Sequence, residues 1–293
     1  MHTSKKLPGF ILTFFLVFSG YFCTAQKLAP LPMMDPSWVK PTEPFRIAGN
    51  LYYVGTYDLA CYLITTPKGH ILINTGLAES ATMIRANVEA LGFKFRDIKI
   101  LLVTHAHFDH VAAMAEIKKV TGAKLMVNEN DAQLLADGGN SDFTFGGKGP
   151  MFEPVKVTKL LKEHDTIKFG GMVIVPLHHP GHTKGACSFL FDVKDENRTY
   201  RVLIANMPSI NNGVILSGMP GYPDIGKDYA RTFEAMKNLH FDIWLASHAN
   251  QFRLHNKRQP GDSYDPEVFI DQKGYDTALA NWYADYLKKL ADK

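Results

Sequence analysis

Residues 104–110 read Thr104-His105-Ala106-His107-Phe108-Asp109-His110. Three imidazoles and a carboxylate within six residues form a dense set of the nitrogen and oxygen donors that Zn²⁺ accepts. A zinc site with an open coordination position activates water, so the chemistry on offer is metal-assisted hydrolysis. The bland alternative is a cluster of exposed polar loop residues. The setting argues against it, because residues 98–104 read as a largely apolar strand and 110–120 as a helix, which puts the cluster on the loop between them. Two more histidines stand at comparable positions. Pro180-Gly181-His182-Thr183 follows the apolar run 172–177, and Ser247-His248-Ala249 ends the run 243–246. Each alone reads as an ordinary histidine. Beside the His-rich loop both become candidate ligands, since the strand ends of one sheet share an edge. His164, His178, His179, His240 and His255 lack that placement and are expected to be structural or exposed.

Strands and helices must carry these loops to one place. Residues 26–44 hold five prolines (Pro30, Pro32, Pro36, Pro41, Pro44) and are expected to wrap the surface as an irregular arm. Strand-like text begins at Phe45, followed by 60–66 and 70–74, joined through Pro67-Lys68-Gly69, which is hairpin chemistry. Residues 79–92 show helical periodicity in Met83, Ile84, Val88 and Leu91, closed by Gly92. Another strand is expected at 123–128. The second half repeats the plan, with strands at 166–178, 186–193, 200–206 and 243–247, a helix at 228–239 and an amphipathic stretch at 265–290. Strands then helices, twice over, predict two packed sheets with helices outside. The glycine-rich span 138–150, with Phe143 and Phe145, reads as an inserted loop, and such loops are disproportionately functional.

Composition narrows the function classes. Lys5 and Lys6, an apolar run at 10–18 and small residues Cys23-Thr24-Ala25 before Gln26 form the order of a secretory signal peptide, residues 1–25. The apolar run falls short of the ~20 residues of a spanning helix. A lipid anchor on Cys23 is the rival reading, opposed by bulky Phe22. No later segment is long and apolar enough to cross a membrane, so residues 26–293 are expected as one soluble domain in the periplasm. The chain has 32 basic and 29 acidic residues; without Lys5 and Lys6 the balance is 30 against 29. That is no footprint for nucleic acid, and it points to a small-molecule substrate. Cys61 and Cys187 lie in apolar runs of different strands and are expected as buried thiols, with a disulfide as the alternative.

His-x-His-x-Asp-His after a strand, then Gly-His-Thr, then a late histidine, resembles the metallo-β-lactamase superfamily across nearly all of residues 26–293. The resemblance implies an α/β fold, the four-layer αββα sandwich, with metals at the edge between the sheets and two similar halves in a single domain. More narrowly, residues 43–50, 178–185 and 204–209 are similar to the GOB-type branch of subclass B3. Carried over, the resemblance puts one zinc on His105, His107 and His182 and a second on Asp109, His110 and His248. That branch often has glutamine for the first histidine; this chain keeps His105, so two zinc ions are expected. Met207 stands where other branches carry a bridging aspartate or a cysteine ligand. A thioether is a poor Zn²⁺ ligand, so Met207 either walls the site or simply packs. Asn74 replaces the usual aspartate.

The implied activity is zinc-dependent hydrolysis of the β-lactam amide of penicillins, cephalosporins and carbapenems, conferring antibiotic resistance, by a monomeric enzyme. Another hydrolase of the same fold, a lactonase or thioesterase, is the alternative, and a non-catalytic binding protein is a third. Asp109 is the expected catalytic residue, orienting the attacking hydroxide, and Ser209 matches a position whose hydroxyl assists with the substrate carboxylate. Phe143 and Phe145 could form an apolar lid and Tyr57 a further wall; each could equally be local packing.

Overall fold

The computed structural model describes residues 1–4 and 27–291. From residue 5 onward, the expected signal segment lies outside the described residues. The first half runs β1 (Phe45–Ala48), β2 (Leu51–Tyr53), β3 (Tyr62–Thr66), β4 (Gly69–Ile73), α1 (Ser80–Ala90), β5 (Ile98–Leu102), α2 (Phe108–Val111), α3 (Met114–Thr121), β6 (Lys124–Asn128), α4 (Ala132–Ala136) and β7 (Lys159–Leu161). The second half runs β8 (Ile167–Phe169), β9 (Met172–His178), β10 (Cys187–Lys194), β11 (Thr199–Ala205), α5 (Ile225–Lys237), β12 (Ile243–Ala246), α6 (Leu254–Lys257) and α7 (Gln272–Ala291). Strands β1 to β7 form one sheet in chain order, and β12-β11-β10-β9-β8 form the other.

Period-two alternation divides the side chains between two cores. In β3 to β5, Tyr62, Ile64, Ile71, Ile73, Ile100 and Leu102 face the second sheet, where Phe189, Phe191 and Ile204 meet them. The alternate residues Leu63, Leu72 and Leu101 turn outward onto Ile84 and Val88 of α1 and Met114 and Ile117 of α3. On the far side, α5 and α7 cover the second sheet through Tyr229, Phe233, Tyr275 and Leu279. The layers are αββα, as the resemblance implies. Cys61 packs in the outer core and Cys187 in the inner one, and both are buried thiols.

Some expectations need correction. The strand expected over 166–178 is a hairpin, because Gly170 and Gly171 take φ of 56° and 95°, a turn that L-residues rarely adopt. The helix expected over 110–120 is broken after Val111. The His110 carbonyl accepts from Thr75 N (2.8 Å) and Thr75 Oγ1 (3.1 Å), so an outside partner stands where a helix amide would. The proline-rich arm does run over the surface, but it is not wholly irregular and it sends one side chain inward. Asp35 caps a short 3₁₀ turn at Pro36–Trp38, and Trp38 is buried.

Candidate metal centre

Hydrogen bonds between the sheets bring their strand ends to one edge. The Thr104 carbonyl accepts from Cys187 N at 2.7 Å, and the Ser247 carbonyl from Ala60 N at 3.1 Å. Asn74, in the left-handed region at φ 62°, accepts from Thr104 N at 2.9 Å and fixes the take-off of the His-rich loop. Asparagine tolerates that conformation well.

All six expected ligands meet at this edge. His105, His107 and His182 present ligand atoms within 4.8 Å of one another, as do His105, Asp109 and His110. His248 joins the second group through Asp109, with its Nε2 3.3 Å from Oδ2, and through His110, with ring centroids 4.9 Å apart. The structure thus adds a point absent from the sequence reading: His105 stands within reach of both groups.

The outer ring nitrogens are engaged by acceptors, which fixes tautomers. His105 Nδ1 meets Asn206 Oδ1 at 2.7 Å, His107 Nε2 meets Asp142 Oδ2 at 3.2 Å, His182 Nδ1 meets the Ser209 carbonyl at 2.8 Å, and His248 Nδ1 meets Asp58 Oδ2 at 3.0 Å. Carboxylate and carbonyl oxygens only accept, so these nitrogens carry the protons, which leaves lone pairs on the inner nitrogens of His105, His107 and His182. His248 Nε2 faces Asp109 Oδ2 and carries a proton there as well. His107 Nδ1 and His182 Nε2 then face each other at 3.1 Å. Two lone pairs at that distance repel unless a cation lies between them. His105 Nε2 and both His110 nitrogens are buried without hydrogen-bond partners; His110 Nε2 lies 3.2 Å from Asp109 Oδ2 but out of line. Buried polar atoms are rarely left unpaired. The donor set therefore fits a metal pair, and nitrogen with carboxylate oxygen suits zinc.

Electrostatics agree with ligand chemistry at His105 and His182, whereas His248 holds a second proton that a bound metal would displace. Burial, reinforced by His110 and His182, pushes the His105 pKa well below its usual value, and burial with His107 takes His182 to about 3. Both are neutral, which is the ligand form. Burial would lower His107, but the Asp142 charge outweighs it, and burial of His248 is overcome by hydrogen bonds to Asp109 and Asp58, raising it to about 9. Burial alone would raise the Asp109 carboxyl, yet His110 and His248 hold it well below the carboxylate range.

Over the cluster lies a cavity of about 100 Å³, walled by Met33, Trp38, Phe145 and Met207 and reached by Ser209. Met207 therefore walls the site. Phe145 does so too, its ring 5.3 Å from His107, whereas Phe143 packs 5.1 Å from Tyr222 and does not line this cavity. Tyr57 is not a wall; it stacks on His255 at 3.6 Å. Its neighbour Asp58, missed in the sequence, is the functional one, binding Trp38 Nε1, His248 Nδ1 and Asn250 N. Asp142 was also missed. It folds the glycine-rich loop around itself by accepting from Thr144 N and Phe145 N, with Gly146 pressed so close that a Cβ would fall 2.3 Å from the Asn140 carbonyl oxygen. Only an acid buried in a loop marks such residues, and no local spacing betrays them.

A family model described as the metallo-beta-lactamase superfamily matches residues 56–195. The chain is 63% identical to a beta-lactamase from Chitinophaga pinensis, with TM-score 0.88 over 88% of this chain and 98% of the other. It is 60% identical to the class B3 di-zinc metallo-beta-lactamase LRA-12 from an Alaskan soil metagenome, with TM-score 0.87 over 90% and 99%. For the metallo-beta-lactamase GOB-18 from Elizabethkingia meningoseptica the identity is 52% and the TM-score 0.90, over 92% and 100%. Curated sequences at 28%, 28% and 30% identity match over less, the chain spanning 69%, 64% and 42% of their lengths. Identity this high over almost the full length of class B3 enzymes, on the fold and the side-chain cluster described above, shows that this chain belongs to the metallo-β-lactamase superfamily, on its B3 branch.

Proposed function

We propose that the protein is a zinc-dependent β-lactamase that opens the amide bond of β-lactam antibiotics with two zinc ions. His105, His107 and His182 would hold one ion, and Asp109, His110 and His248 the other. The observation that carries this reading is the set of inward lone pairs on buried imidazoles whose outer nitrogens are already engaged. When bound, zinc supplies Lewis acidity that acidifies a water to a pKa near 7 and polarises a carbonyl.

The chain's own residues do the rest. Asp109 turns Oδ2 toward His110 and His248, which leaves Oδ1 to orient the attacking water and take its proton. Attack on the carbonyl carbon breaks the ring C–N bond, and the proton held by Asp109 passes to the departing nitrogen. Ser209 presents its hydroxyl at the cavity beside His182, a position from which it can donate to the substrate carboxylate. Met207, Phe145 and Trp38 exclude bulk water and offer apolar surface to substrate side chains. Residues 1–25 are read as a signal that directs a monomeric enzyme to the periplasm, where penicillins, cephalosporins and carbapenems arrive. Nucleic acid and membrane have no part in this reading; among the described residues no helix is long and apolar enough to cross a membrane.

Purified zinc-loaded protein should hydrolyse a penicillin or carbapenem and lose the activity to EDTA. Turnover of a lactone or thioester with no β-lactam opened would replace the reading with that of another hydrolase on this fold.

A further inference from the structure

Asp131 lies between β6 and α4, on neither ligand-bearing loop, and its side chain is fully buried. It belongs to neither group of metal-competent side chains. Its Oδ2 accepts from Ala106 N at 3.0 Å and from Thr183 Oγ1 at 2.7 Å, and its Oδ1 accepts from Gly185 N at 2.7 Å. Ala106 sits between His105 and His107, and Thr183 follows His182. One carboxylate from a third element therefore grips the two loops that carry the three-histidine group.

Burying a carboxylate is expensive unless donors satisfy it. Here three donors do, two of them amides of irregular backbone that have no sheet partner. The fit is close: a Cβ on Gly185 would fall 2.6 Å from Asp131 N and 2.7 Å from its carboxyl carbon. This explains the glycine that ends the segment Gly181-His182-Thr183-Lys184-Gly185. The other group is held elsewhere, His248 by Asp58 at 3.0 Å and the His110 carbonyl by Thr75.

We infer that Asp131 is a positioning residue that sets the spacing of His105 and His107 against His182, and so chiefly the affinity of the three-histidine site, with a smaller effect on the Asp109-His110-His248 site. Ligand distances in a metal site must hold to about 0.2 Å, and a clamp common to both loops supplies that precision. The inference rests on the two-ion reading above.

The test is cadmium NMR together with competitive zinc titration, on the wild type and on Asp131→Ala, Asp131→Asn and Thr183→Val, with His182→Ala assigning the resonance of the three-histidine site. Wild-type protein should show two ions. Asp131→Ala should weaken zinc at the three-histidine site about 10–100-fold, the range for outer-shell partners of metal ligands, and the second site clearly less. Asp131→Asn can keep the oxygen toward Ala106 and Thr183 but turns an NH₂ toward Gly185 N, so it should fall between. Should Asp131→Ala fail to fold, Thr183→Val removes one bond of the clamp and should weaken the same ion by about tenfold. Equal loss at both sites, or unchanged affinity at the three-histidine site, overturns the inference and leaves the two-ion reading intact. Wild-type protein that binds no ion at these histidines overturns both.

Discussion

The two sides of the metal centre are built differently. His105, His107 and His182 form the first side: each outer nitrogen has its own acceptor, Asn206 and the Ser209 carbonyl from the loop after β11 and Asp142 from the glycine-rich loop. Asp109, His110 and His248 form the second side; each side has one part-exposed histidine, His182 on the first and His248 on the second. The outer support of the second side is a single carboxylate, Asp58, backed by Trp38 from the proline-rich arm. The contrast separates two tasks. The first side is held by several partners and suits a template. The second side carries the one carboxylate among the six candidate ligands and so suits the handling of the proton.

That division can be broken by experiment. The largest effect is expected from chelation: removing both ions abolishes hydrolysis, and calorimetry should show a lower Tm, worth about 4 kcal/mol per ion at zinc a thousandfold above Kd. Asp109→Ala comes next, because it removes a candidate ligand and the proton-handling group together; kcat/KM for a penicillin should fall by about 10³-fold or more, within the range for positioned acid–base groups. A rate near wild type would put the chemistry on some other residue.

Asp58→Asn and Asp142→Asn sharpen the comparison directly. Each leaves its imidazole in place but replaces the carboxylate behind it, at an expected cost of about 10–100-fold in zinc affinity. Asp58→Asn should loosen the ion on the Asp109-His110-His248 side and Asp142→Asn the ion on the three-histidine side, as read by metal titration; loss of the same ion in both variants would erase the distinction. Ser209→Ala should have the smallest effect. Its carbonyl still holds His182, and only a hydroxyl is lost, so KM should rise by about threefold to tenfold with kcat nearly unchanged. A fall in kcat with KM unchanged would move Ser209 from binding to chemistry.

How much of this was legible follows from sequence separation. His105, His107, Asp109 and His110 crowd one loop, so donor density alone announces them. His182 and His248 needed the strand-end argument and the first loop together. The acids behind the ligands gave no sign: Asp58 lies 190 residues from His248, and Asp142 lies 35 from His107. Tyr57, one residue from Asp58, reads as a wall because it is an aromatic ring on a loop, whereas a lone aspartate there reads as solvent-facing polarity. Trp38 was hidden the same way, inside a stretch whose prolines speak for an arm and say nothing of where its one indole docks.

The layered fold and the six candidate ligands were legible in local pattern, since alternation, helical periodicity and donor chemistry are properties of neighbours along the chain. Which acid stands behind which imidazole, where the helix breaks after Val111, and how Asp131 joins two loops were settled only by folding. Those contacts pair groups dozens to hundreds of residues apart, and hydrogen bonds of 2.7–3.2 Å depend on where whole sheets come to rest, which no local spacing encodes.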